Sequence, residues 1–213
     1  MKNLTPRMAL ACVLSLMLPA AALGQKTTNP EANVQQSITY NDRGLAKQKK
    51  GDFEGALGDF NQAIKLNPKN AVAYNDRGVI KFRKGDLNGA LEDFNQSLRL
   101  DSNFALPYNN RGLFKVKKND LNGAIADFNQ SLRLNPNYAL AYNNRGQAKA
   151  IKGDLDGAIA DFDQSIRLNP NYALAYRNRG NAKHKKGDVD GAIADFNRAI
   201  KLGPQRVDVI SLH

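Results

Sequence analysis

The chain has no tryptophan, one cysteine and two histidines in 213 residues, and its glutamates are limited to Glu31, Glu54 and Glu92. With Cys12 as its sole thiol, the chain can form neither an internal disulfide nor a thiolate zinc site. His184 and His213 alone do not make a metal centre. No glycine-rich phosphate loop and no nucleophile–base pattern stands out. Catalysis is therefore not expected, nor is a cofactor or a small-molecule substrate. Long apolar runs are also missing. The one candidate, residues 8–18, falls well short of the roughly 20 residues that span a bilayer. It follows the basic Lys2 and Arg7 and precedes the small residues 20–24, the layout of a secretory signal. Cleavage is expected between Gly24 and Gln25, giving an exported protein, periplasmic or extracellular.

What the chain has in abundance is a repeat. Tyr40, Tyr74, Tyr108, Tyr142 and Tyr176 recur every 34 residues. So do Gly44, Gly78, Gly112, Gly146 and Gly180, and Phe60, Phe94, Phe128, Phe162 and Phe196. A fixed period of this length marks a stack of modules. The five units are residues 37–70, 71–104, 105–138, 139–172 and 173–206. A polar linker without structure is expected over 25–36 and a short tail over 207–213. Val207, Val209, Ile210 and Leu212 of that tail either cover the end of the stack or meet another copy.

Within unit 3, Tyr108, Gly112, Leu113 and Val116 share one side of a predicted helix over 105–118. Asn119-Asp120 then ends it and caps the next, as Gly-Asp does in the other units. Ala124, Ile125, Phe128 and Leu132 form the apolar side of a second helix over 121–134, which stops before Pro136. Such pairs cannot bury their apolar sides alone, so neighbouring units must stack. Gly55, Gly89, Gly123, Gly157 and Gly191 fall early in the second helices, where glycine costs up to about 1 kcal/mol.

The spacing of Tyr at unit position 4, Gly at 8, Ala at 20, Phe at 24 and Pro at 32 closely resembles the tetratricopeptide repeat family, from Ser37 to about Pro204. The resemblance implies an all-α, right-handed superhelical solenoid of antiparallel helix pairs whose first helices line a concave, peptide-receiving groove. Several positions depart from the family pattern. Position 7 is Arg (Arg43, Arg77, Arg111, Arg145, Arg179), position 11 is Lys, and position 23 is Asp (Asp59, Asp93, Asp127, Asp161, Asp195). These ladders either pair across the two helices of a unit or extend into solvent.

The groove positions supply the candidate site. Position 5 holds Asn41, Asn75, Asn109, Asn143 and Arg177; position 6 ends in Asn110, Asn144 and Asn178. A side-chain amide both donates and accepts, so these residues either grip a peptide backbone or serve only the fold. Val79, Phe82, Leu113 and Val116 make units 2 and 3 apolar, either as an anchor site for the ligand or as core between units. Position 2 is aliphatic throughout, so the family's carboxylate clamp is not implied. The resemblance thus implies a non-enzymatic scaffold for a protein or peptide partner. The net charge of +11, from which the leader would remove Lys2 and Arg7, leaves open a charge-driven contact with an anionic polymer or membrane surface. A nucleic-acid partner is disfavoured by export. Self-association into a homo-oligomer through the uncapped end is the other alternative.

Overall fold

The computed structural model describes residues 29–203; the expected signal segment and the 207–213 tail lie outside them. Among the described residues, all regular structure is helical. Unit 1 contributes α1 (Pro30–Lys50) and α2 (Phe53–Leu66), unit 2 α3 (Ala71–Lys84) and α4 (Leu87–Leu100), and unit 3 α5 (Ala105–Lys117) and α6 (Leu121–Leu134). Unit 4 contributes α7 (Ala139–Lys152) and α8 (Leu155–Leu168), and unit 5 α9 (Ala173–Lys185) and α10 (Val189–Leu202).

The turns follow from local chemistry. Gly51, Gly85, Gly153 and Gly187 adopt φ of 84–90°, and Asn119 substitutes for them at φ 61°. The Asp that follows caps each second helix, as where Asp120 Oδ1 accepts the Gly123 N–H at 2.9 Å. That cap explains the early glycine. A Cβ on Gly123 would lie 2.1 Å from Asp120 Oδ2, so the lost helix propensity makes room for the capping carboxylate.

One expectation needs correction. Residues 25–36 were expected to form an unstructured linker, yet α1 begins at Pro30. Asn29 Oδ1 accepts the N–H groups of Glu31 and Ala32, proline occupies a first-turn position that needs no donor, and Glu31 complements the helix dipole. A polar composition concealed a well-capped helix start.

Each helix packs on the next in sequence, and the first helices also touch one another along the series α1, α3, α5, α7, α9. The second helices make no such mutual contact. First helices therefore form the inner, closely spaced layer and second helices the splayed outer one. The core runs between them as four clusters, one for each of units 1–4 and each built on a phenylalanine: Phe60, Phe94, Phe128 and Phe162 are essentially inaccessible. Gly112 lets the Phe128 ring close onto α5; a Cβ there would lie 2.5 Å from the ring.

Across each pair runs an ionic staple. Arg111 donates through Nε and Nη2 to the Asp127 carboxylate at 2.9 and 2.8 Å, and Lys115 Nζ reaches its second oxygen at 2.8 Å. The same triad recurs at Asp59, Asp93, Asp161 and Asp195. The position-7 arginine also lies over the Tyr ring of position 4, at 5.5 Å for Arg111 and Tyr108. The Arg, Lys and Asp ladders thus pair across the helices of each unit. Hydrogen bonds from Arg43 hold the Asp59 carboxyl below its ordinary pKa, against the effect of burial. At Asp195 burial works upward, but hydrogen bonds from Arg179 and Lys183 outweigh it.

Candidate functional site: the inner face of the stack

The inner helices carry the residues expected to meet a peptide, and the structure divides them. Asn41, Asn75, Asn109, Asn110, Asn143 and Asn144 are buried, with 0–5 % of their surface exposed. Their amides are consumed by one another. Asn178 Nδ2 donates to Asn143 Oδ1 at 2.9 Å, Asn143 to Asn144 at 3.4 Å, and Asn144 to Asn109 at 3.0 Å. Asn109 donates to Asn110 at 3.3 Å, Asn110 to Asn75 at 2.9 Å, and Asn75 to Asp76 at 3.1 Å. Asn41 approaches Asp76 from the other side, also at 3.1 Å. This relay runs through the stack and ends on a carboxylate, which can only accept. The expectation that these six asparagines present amides to a peptide is therefore corrected: burial removes them from a ligand's reach, and they join unit to unit. Asn178 is half-buried and Arg177 is exposed, so only these two of the amide-ladder candidates remain open.

The apolar candidates divide in the same way. Val79 is fully buried against Ala90 and Phe94, with Phe82 and Leu113 packed on that cluster. Leu113 and Val116 also pack against Ala124, Phe128 and Ala148. Val79 is therefore core and not an anchor site, while Phe82, Leu113 and Val116 keep partial exposure. A cavity on this face lies between α7 and α9. It measures about 150 Å³ and sits on Phe162 of α8. Ala150, Ile151 and Ala182 supply apolar wall; Gln147, Asn178, Asn181 and Lys185 supply polar groups. Its cause is side-chain size. Position 10 changes from Ile80 and Phe114 to Ala148 and Ala182, and Phe82 at position 12 becomes Ala150, while position 9 turns from Val79 and Leu113 to the polar Gln147 and Asn181.

Several cations of the stack are engaged in ion pairs. Besides the Arg and Lys of each staple, Lys84 binds Glu54 and Lys186 binds Asp156, each joining consecutive units. Among the described residues there is no group of three or more His, Asp, Glu or Cys side chains able to hold a metal ion, and no helix is long and apolar enough to cross a membrane.

Family models described as "TPR repeat" match residues 44–85, 115–150 and 148–187, and others described as "Tetratricopeptide repeat" match 71–104 and 173–206. The chain belongs to the tetratricopeptide repeat family. Such repeats are generally interaction modules and not enzymes. No curated protein sequence matches this tetratricopeptide repeat chain. Among solved structures it is similar to MamA, at 29% identity and TM-score 0.63 over 75% of this chain and 93% of that one. It is also similar to pilF of Pseudomonas aeruginosa, at 20% identity and TM-score 0.75, covering 84% and 81% of the two chains. YrrB, described as "a TPR protein with an unusual peptide-binding site", matches at 24% identity and TM-score 0.59, covering 84% and 92%. At these identities the last two resemblances concern the fold alone.

Sequence reasoning missed Ile151 and Lys185 as lining residues. Both occupy position 13 of their units, and a cavity there depends on what neighbouring units leave unfilled, which no single unit shows. It also missed the phenols of Tyr138 and Tyr172, which are buried without a hydrogen-bond partner, and burial pushes both pKa values up.

Proposed function

We propose that this protein is an exported, non-enzymatic scaffold that holds an extended polypeptide segment along the inner face of units 4 and 5. The observation that carries this reading is the cavity between α7 and α9. Its apolar floor suits one aliphatic side chain of a partner, and Lys185 beside it suits a neighbouring carboxylate. Gln147 and Asn181 offer amides to the partner's backbone, the task expected of the ladder asparagines that the fold uses for itself. Phe82, Leu113 and Val116 add apolar surface toward the middle of the stack. That YrrB has a peptide-binding site on a similar stack supports the reading. A general attraction to anionic polymer or membrane is less favoured, since so many cations are held in ion pairs.

The test is a photo-reactive side chain at Asn181, compared with one at Glu92, which is exposed on the second helix of unit 2. The Asn181 probe should link to polypeptide in the protein's own compartment and the Glu92 probe should not. Ala150→Phe, which copies Phe82 at the same unit position, should fill the cavity and abolish that link without unfolding the stack. The link should persist in 0.5 M salt, where screening shortens to about 4 Å. Equal labelling at both positions, or loss of the link in salt, would count against a groove ligand.

A further inference from the structure

Two polar links recur at all four internal junctions and a third at three of them, and that set specifies what a sixth unit would need. Position 5 of one unit meets position 6 of the next: Asn41 with Asp76, Asn75 with Asn110, Asn109 with Asn144, Asn143 with Asn178. Position 25 accepts from the arginine at position 7 of the next unit: Asn61 from Arg77, Asn95 from Arg111, Asn129 from Arg145, Asp163 from Arg179. Position 18 meets the lysine at position 14 of the next, as in Glu54 with Lys84, Asn122 with Lys152 and Asp156 with Lys186.

Carried past unit 5, this register leaves three groups waiting. Arg177 can only donate and needs an acceptor at the next position 6. Asn197 needs a donor at position 7, and Asp190 a cation at position 14. The outward face of α1 supplies all three: Asp42, Arg43 and Lys50 stand at those positions of unit 1. All six residues are exposed. Among the described residues, the side chains of Arg177, Asn197, Asp190, Asp42 and Lys50 form no hydrogen bond or ion pair. Arg43 shows what is missing. Its side chain is 56% exposed, against 18–22% for the arginines that a preceding unit covers.

The apolar surfaces match as well. Val189, Ile193 and Ile200 of α10 are exposed, Ile200 at 76%, whereas their counterparts Leu121, Ile125 and Leu132 of α6 lie wholly or partly buried under the unit that follows. On α1, Thr39, Asp42 and Ala46 are exposed where α3 buries Ala73, Asp76 and Ile80 beneath the preceding unit. Ala46 leaves room for the α10 side chains. The two extra turns of α1 prolong it along its own axis and leave this face open.

We propose that copies of this chain associate head to tail. The α10 face of one copy seats on the α1 face of the next, through Arg177 with Asp42, Asn197 with Arg43 and Asp190 with Lys50. Such a contact is heterologous, so it propagates into an open filament unless the solenoid's curvature closes a ring.

Sedimentation of the full chain from micromolar to millimolar concentration tests this. Average mass should climb past the dimer without a plateau there. Asp42→Arg and Arg177→Asp should each weaken association roughly tenfold, because an exposed ion pair becomes a like-charge contact. Circular dichroism should show both variants folded. An equimolar mixture of the two should recover the wild-type mass, since every head then faces a tail of opposite charge. A monomer at all concentrations overturns the proposal; this is the outcome if residues 205–213 or another protein cover α10. A dimer that grows no further, as from two α10 faces meeting each other, overturns it too, as does a mixture no better than its components.

Discussion

Units 2 and 3 and units 4 and 5 share one frame and differ in what stands on its inner face. In both halves Asp, Arg and Lys form the same staple, the Phe ring lies under the same glycine, and asparagine amides link each unit to its neighbour. In the middle, Phe82 and Leu113 of successive first helices pack together on the Val79 cluster, and Ile80 and Phe114 are buried. Toward the C-terminus the matching residues are Gln147, Ala148, Ala150, Asn181 and Ala182, and a cavity opens. The repeat frame therefore decides where a groove lies, and side-chain volume at positions 10 and 12 decides whether anything can enter it.

The sharpest way to break this comparison is to remove its shared element. Phe128→Ala, in the middle, should cost about 3–5 kcal/mol because the sites around it are already filled and cannot collapse. Phe196→Ala, in the half-covered last unit, should cost less than half of that. Denaturant unfolding measures both; equal losses would show that the end of the stack is as well packed as its centre.

A second comparison uses acid. Asp59 in the first unit and Asp195 in the last both titrate below the usual carboxylate value in the folded chain. The unfolded chain takes up the proton first as pH falls, so this stabilisation is present above about pH 4 and lost as pH drops through the lowered values. Melting temperature should hold from neutrality to about pH 5 and fall below it, and Asp59→Asn should flatten the acid limb. A melting temperature that rises below pH 4 would contradict the staple.

The smallest effect belongs to position 34, where unit 2 has Phe104 and the next two units have Tyr138 and Tyr172. An unsatisfied buried hydroxyl costs about 1–3 kcal/mol, part of which is recovered when it is removed. Tyr138→Phe and Tyr172→Phe should each raise stability by roughly 0.5–1 kcal/mol. A loss of stability instead would mean that the hydroxyls have partners in solution.

Helix positions, turns and caps were legible because each rests on neighbours in sequence. Asp120 finds its donor three residues on, and Asn119 takes its left-handed turn by itself. The start of α1 was missed because its cap, Asn29, stands outside the repeat. The groove was only half legible. Asn110 is a strong hydrogen-bonding residue at a groove position, but nothing local says that Asn75, 35 residues earlier, already occupies its amide.

The sequence by itself determined the period, the helix pairs and the caps, since these depend on neighbours along one unit, while the Asp–Arg–Lys ladders were visible in it but not their pairing. Only the tertiary structure decided which amides are spent between units and where the inner face stays open. It also decided which side chains of α1 and α10 stand exposed at the two ends of the described stack. Burial and hydrogen-bond satisfaction belong to pairs of surfaces, and those pairs exist only once the units have stacked.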